Sequence, residues 1–137
     1  MGGGEVSGKT RPTEVRHMKG ITSHRDLVVW QKAMDLAVDV HKIAAGLPST
    51  ERYGLTAQPA RAASSVPANI AEGSARGSAK EYSRFLAIAK GSAMETETFL
   101  VLATRLGYLN EARAQFALAL IVEISKMLTA MRAKLDL

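Results

Sequence analysis

The stretch from Ser65 to Ser78, reading SVPANIAEGSARGS, constrains this chain more than any other. It sets Pro67 inside an alanine-rich helical run, where a proline removes a backbone donor and bends the axis. Asn69 follows two residues later, with a side chain able to take up backbone groups that the proline leaves free. Gly73 and Gly77 then close the run, and Ser78 opens another. An ordinary helix needs none of these residues, so the pattern marks a specific corner between two helices, built around Pro67, Asn69, Glu72, Gly73, Ser78 and Glu81.

The remaining composition favours helices throughout. Of the 137 residues 47% are apolar, enough for a core, yet only 5% are aromatic. The apolar residues are mainly alanine, leucine, valine, isoleucine and methionine, all but valine and isoleucine good helix formers, and alanine lets helices approach closely. The length predicts one domain with a tail. Residues 1–24 hold five of the eleven glycines and no apolar period, and read as disordered or in part vector-derived. The absence of cysteine excludes a disulfide framework, a thiolate zinc site and a cysteine nucleophile, and suits a cytoplasmic protein. No uninterrupted apolar run approaches the ~18 residues of a membrane span, so no membrane partner is expected. The N-terminus lacks the apolar region of a secretory signal.

Four helices are predicted, at about 25–45, 50–72, 78–106 and 110–135. The first begins at a capping-box-like Ser23-His24-Arg25-Asp26 and carries a stripe of Leu27, Trp30, Met34, Ala37, His41 and Ala44. Gly46-Leu47-Pro48 ends it. The second buries Leu55, Ala62, Val66 and Ile70. Pro59 either bends it about two turns in or marks the place where the helix proper begins. The third starts at the capping box Ser78-Ala79-Lys80-Glu81 and runs along Tyr82, Phe85, Ala89, Ser92, Thr96, Phe99, Ala103 and Leu106. Its central seam is small, as a close helix crossing requires. The fourth starts at Asn110 and carries Ala117, Ile121, Ile124, Leu128, Met131 and Leu135 at heptad spacing. Leu118, Leu120, Val122 and Met127 widen its apolar surface beyond one seam, which points to self-association with Leu118 and Val122 at the contact. Short corners between four helices predict an all-α, antiparallel up-down-up-down four-helix bundle.

Enzyme chemistry finds no constellation here. The histidines are His17, His24 and His41, and no Glu-x-x-His pair supplies a di-iron site. His41 reads as a partly buried helix residue rather than a ligand. No Ser-x-x-Lys, Gly-x-Ser-x-Gly or P-loop occurs. No catalytic residue, metal ligand or cofactor is assigned. Glu95 and Glu97 lie two apart on a helix and point to different faces. Glu72, at a helix C-terminus, needs a nearby cation, and Arg61, Arg76 and Arg84 are candidates; a structural salt bridge is favoured there over a binding site.

Charge offers one binding reading. The formal net charge is +5, of which Lys9, Arg11, Arg16 and Lys19 against Glu5 and Glu14 put +2 in the first 24 residues. Arg61, Arg76, Lys80, Arg84 and Lys90 form the candidate basic patch, with Lys80 and Arg84 four apart on one helix face and Arg76 just before its N-terminus. Phosphate favours a helix N-terminus with basic neighbours. The alternative is a solvated face laced with Glu81.

The corner also carries a resemblance. Asp26-Leu27-x-x-Trp30-Gln31, Leu55-x-x-Gln58, the string Ala62-Ala63-x-Ser65-Val66-Pro67-Ala68-Asn69-Ile70-Ala71-Glu72-Gly73, Ser78-x-x-Glu81-Tyr82 and Ala89-x-Gly91-Ser92-x-x-Glu95-x-Glu97-Thr98 appear in order. Together they resemble the bacterial four-helix-bundle proteins first noted as open reading frames in intervening sequences of 23S ribosomal RNA genes. The accessory variability protein of diversity-generating retroelements falls in the same superfamily. The likeness covers about residues 25–127. It implies an antiparallel bundle assembled as a ring-like homopentamer, with no known enzymatic activity. The retroelement member implies a basic surface, nucleic-acid binding and association with a reverse transcriptase. By position, Asn69, Glu72, Gly73, Ser78, Glu81, Ser92 and Glu95 are corner and packing signature rather than an active site. Where the family usually has an apolar residue and two bases after Gln58, this chain has Pro59-Ala60-Arg61, which removes a base.

The expectation is therefore a non-catalytic homo-oligomeric module that contacts RNA, DNA or a protein bound to them. The competing expectation is a protein-interaction scaffold whose bases serve solubility.

Overall fold

A computed structural model of the chain describes residues 23–48 and 57–136. The predicted tail up to Thr22 and the predicted start of the second helix, Leu55 included, lie outside the described residues. Among the described residues four helices make up the fold: α1 (Val28–Ala45), α2 (Ala57–Ser74), α3 (Ala79–Arg105) and α4 (Glu111–Leu135), with a 3-10 turn at His24–Asp26 before α1. Each helix packs on its neighbours in the chain, and α1 closes the bundle against α4.

The helix ends follow from local chemistry. Ser23 caps the 3-10 turn by accepting from the Arg25 N–H, so α1 begins at Val28 and not at Arg25. Ser78 accepts from the Glu81 N–H and starts α3; Asn110 accepts from the Ala112 and Arg113 N–H groups and starts α4. The end of α3 is a Schellman turn. The Tyr108 N–H reaches the Ala103 carbonyl and Gly107 takes the left-handed conformation, φ +81°, that a side chain disfavours. Pro59 sits buried in the first described turn of α2, and the helix runs on through Pro67 to Ser74.

The core runs along all four helices. Leu36, Ile70, Leu86, Leu100, Ile121, Ile124 and Leu128 are fully buried, each stabilising the fold by about 1.5–3 kcal/mol relative to exposure. The small central seam of α3 lies where expected: Ala89, Ser92, Ala93 and Thr96 are all buried. Leu106, expected on the same seam, is exposed, because α3 ends at Arg105 and the chain has already begun to turn.

On α1 the expected stripe is displaced. Val29, Ala33, Leu36, Val40 and Ile43 face the core, joined by Ala37 and Ala44, while Met34 and His41 are exposed and Trp30 is half-buried. Two stripes with steps of three and four run along this helix, and the core takes the one without an imidazole. Of the other, Leu27, Ala37 and Ala44 are also buried, while Trp30, Met34 and His41 stay at the surface and line a groove.

α4 buries Ala117, Ile121, Ile124, Leu128 and Leu135 as expected, with Met131 half-buried. Taken over an 18-residue window rather than an unbroken run, its mean hydropathy of 1.4 makes it long and apolar enough to cross a membrane. In this fold that apolar surface faces two ways, inward to the bundle and outward at Phe116 and Val122.

Candidate functional site

The corner between α2 and α3 is built by close approach. A Cβ on Gly73 would lie 2.8 Å from Phe85 Cβ and 3.1 Å from Tyr82 Cδ1. Gly73 therefore belongs to the last turn of α2 and serves packing, not chain reversal. The reversal falls to Gly77, at φ +83° with open space around it.

Charges gather on the outside of this corner. Arg76 pairs with Glu72 at 2.9 Å and Arg84 with Glu81 at 3.1 Å, and both guanidinium carbons sit within 5 Å of the Phe85 ring centre, at 4.9 and 4.6 Å. Glu72 thus takes the structural salt bridge expected of it. Glu81 does not complete a capping box: Ser78 accepts its N–H, but its carboxylate turns to Arg84. The Arg84 hydrogen bond holds the Glu81 carboxyl below its ordinary pKa. Lys80 is exposed and makes no hydrogen bond or close ion pair among the described residues, though its charge acts on Glu81. Beneath these groups burial pushes the Tyr82 phenol up to about 12.

Behind the corner lies a polar node. Ser65 Oγ accepts from Asn69 Nδ2 at 2.8 Å and from Ser92 Oγ at 2.9 Å, tying α2 to α3. Asn69 Nδ2 also donates to the Ser65 carbonyl. The carbonyl that loses its helical donor to Pro67 belongs to Ala63, four residues earlier, so Asn69 serves a neighbouring group instead.

The five bases of the sequence reading do not form one patch. Arg76, Lys80 and Arg84 share the corner. Arg61 lines a separate pocket of about 230 Å³ with Gln58, Ser65 and Glu95. Lys90 turns toward α4, where Nζ donates to Thr129 Oγ1 at 2.8 Å. Phe85 is the member that sequence reasoning missed as a guanidinium platform. It looked like another core residue on the α3 stripe, although Arg84 beside it was a visible signal. Of the expected contact pair on α4, Val122 is exposed, whereas Leu118 is half-buried against the core.

A second concave feature lies between α1 and α2. Trp30, Met34, Val38, Ala68 and Ala71 line an apolar groove of about 700 Å³, with His24 at one end. His41 Nε2 and Ser64 Oγ lie 2.8 Å apart along it. His41 is thus an exposed groove residue rather than a partly buried one. No group of three His, Cys, Asp or Glu side chains among the described residues is placed to hold a metal ion.

Residues 25–130 match the family described as 23S rRNA-intervening sequence protein. The fold is similar to the crystal structure of a protein of unknown function from the S23 ribosomal protein family of Bacteroides thetaiotaomicron VPI-5482. The identity is 27%, the TM-score 0.69, and the likeness covers 77% of this chain and 98% of that one. No curated protein matches. The match spans most of the chain and includes the whole corner from Ser65 to Ser78, and the chain belongs to the family of 23S rRNA-intervening sequence proteins.

Proposed function

We propose that this protein is a non-catalytic, homo-oligomeric helical module of the cytoplasm that contacts the phosphate backbone of RNA or DNA through the α2–α3 corner. The observation that carries the reading is the gathering of Arg76, Lys80 and Arg84 around the N-terminus of α3. Two of these bases are steadied over Phe85, and the third makes no close ion pair among the described residues. A helix N-terminus adds its own partial positive charge. Glu72 and Glu81 leave this cluster one positive charge in excess, so the contact is weak, non-specific and salt-sensitive. Arg61 and Lys90 make separate contacts at most. A protein already bound to nucleic acid, such as a reverse transcriptase, is the partner that could extend so small a footprint.

The bundle is read as antiparallel, up-down-up-down. Cross-helix pairs support this order: Lys32 with Glu123 and Asp39 with Arg113 run in opposite senses along α1 and α4. Apolar surface exposed on α1, α3 and α4 supports assembly, and the reading adopts a ring of five.

The test is a salt titration against labelled structured RNA and duplex DNA. Contact with two or three phosphates predicts a log–log slope of about −2 to −3. Lys80→Glu, which breaks no ion pair, lowers affinity, and joint reversal of Arg76, Lys80 and Arg84 abolishes it. No retention at low salt would leave the scaffold reading, which the two ion-paired arginines favour. Light scattering tests the assembly: a mass of five times 14.7 kDa is expected, and a single-chain mass removes the ring.

A further inference from the structure

Arg61 on α2 and Glu95 on α3 line one pocket with Gln58, Ala62 and Ser65, yet the two charged groups form no ion pair with each other or with any other described residue. The contrast with the corner is sharp. There each carboxylate holds its arginine, at 2.9 and 3.1 Å, whereas in the pocket the guanidinium and the carboxylate stand apart across open space. At about 230 Å³ the pocket is smaller than the roughly 300 Å³ at which drug-sized sites begin, which suits a single small ring system.

Donors and acceptors in this pocket are of defined kinds. The Arg61 guanidinium only donates, the Glu95 carboxylate only accepts, and the Gln58 amide does both. Ser65 Oγ accepts from Asn69 Nδ2 and Ser92 Oγ, which leaves its own proton to give. Arg61 and Glu95 cancel in charge, so a bare phosphate gains little here. What engages both is a neutral, flat group with two donors on one edge and acceptors on the next. Among nucleobases that is guanine: N1–H and the N2 amino group lie side by side for a carboxylate, while O6 and N7 suit a guanidinium. Adenine, cytosine and uracil each set an acceptor beside the donor, and a carboxylate repels it.

We infer that this pocket reads a guanine base in a single strand whose phosphates lie on the α2–α3 corner. Placement along the helices supports one strand reaching both. On α2, Arg61, Ser65, Asn69 and Glu72 follow at steps of four, four and three, and on α3, Arg84, Ile88, Ser92 and Glu95 do the same. The Ser65–Ser92 bond ties the two rows together, so pocket, polar node and corner lie in file along one seam. Glu95 follows Arg84 by eleven residues, about 16 Å of helix axis and a reach of a few nucleotides. No aromatic is among the described residues that line the pocket, so the base is held by its edges rather than by stacking. The corner touches backbone and distinguishes no base; the pocket adds the preference. Guanine recognition here rests on the nucleic-acid contact proposed above and names what that contact selects.

Fluorescence anisotropy of labelled single-stranded RNA tests it. Two strands of equal length are compared at low salt, one of adenosines and uridines alone, the other with single guanosines spaced along it. The guanosine strand is expected to bind about tenfold more tightly. Inosine in place of guanosine, which lacks the N2 amino group, should lose most of that advantage. Glu95→Gln should bring the two strands within about twofold of each other, since the paired donors lose their carboxylate. Glu95 is exposed, so the fold is left alone, and its lost charge acts on both strands equally, so the ratio isolates the base contact. Lys80→Glu should weaken both strands and keep the ratio. Equal affinity for the two strands, with both retained, would overturn the pocket and leave the backbone contact standing. A preference unchanged by Glu95→Gln would place guanine recognition elsewhere and overturn it as well. If neither strand is retained at low salt, the corner contact falls and the pocket with it. Free GMP that displaces the strand at matching concentration would give the pocket to a mononucleotide and remove the strand from it.

Discussion

Helix α2 has two sides that look alike in sequence and behave oppositely. Toward α3 it presents Ser65 and Gly73, toward α1 it presents Ser64, Pro67, Ala68 and Ala71, and both rows are small. The first row meets Ser92, Phe85 and Tyr82 of α3, and the helices close until a Gly73 Cβ would have nowhere to go. The second row meets Trp30, Met34 and Val38 of α1, which stand beside it and leave a groove. Small residues permit close approach but do not cause it. The partner helix decides whether the space they leave is filled by a backbone or stays open.

The largest way to break this contrast is to add the same volume on each side. Gly73→Leu forces side-chain atoms into Phe85 and Tyr82, and overpacking of this kind costs roughly 1–3 kcal/mol or more. Ala68→Leu, in the groove, should change stability by less than about 0.5 kcal/mol, as surface substitutions usually do. Urea midpoints of the two variants against wild type measure both. Equal losses would mean that the two sides are packed alike.

Charge sharpens the comparison next. Tyr82 lies on the tight side, 3% exposed, and burial pushes its phenol from 10.0 up to about 12. The sign follows from linkage. Above the unfolded value the unfolded chain has lost the phenol proton and the folded chain still holds it, so stability falls as pH rises from about 10 to about 12. The loss over that interval is on the order of 3 kcal/mol. Tyr82→Phe should flatten that part of the stability–pH curve, whatever it does near neutrality. The same alkaline loss in Tyr82→Phe as in wild type would assign it to other groups.

The contrast between the two sides also shows what sequence could reach. The corner was legible because its residues are unusual: a proline within a helical run, two glycines and a capping serine come together where one helix stops and the next begins. The small α3 seam and the heptad stripe of α4 were legible because periodicity maps directly onto burial. The groove was not. Leu27, Trp30, Met34, Ala37, His41 and Ala44 have a helical period as good as that of Val29, Ala33, Leu36, Val40 and Ile43, and nothing local says which stripe faces inward. That choice is made by tertiary packing, where an aliphatic stripe fills the core without burying an imidazole. The basic patch dispersed for a related reason. Sequence places Arg61 and Lys90 near the corner by number, while helix rotation carries them to other faces.

The smallest expected difference again compares adjacent residues on the two sides. Ser65 and Ser64 are neighbours on α2. The Ser65 hydroxyl accepts from Asn69 and Ser92 in a half-buried node between helices, while Ser64 faces His41 in the exposed groove. Ser65→Ala leaves the Ser92 hydroxyl without its acceptor and Asn69 with the Ser65 carbonyl alone, which in a half-buried node costs about 1 kcal/mol. Water can replace the Ser64 hydroxyl at His41, so Ser64→Ala should cost a few tenths of a kcal/mol at most. Hydrogen exchange gives a finer reading than global unfolding. Ser65→Ala should speed exchange of α2 and α3 amides around the node, while Ser64→Ala leaves both helices unchanged. If the two substitutions proved equivalent, the node would be a surface network, and the tight side of α2 would depend on Gly73 alone.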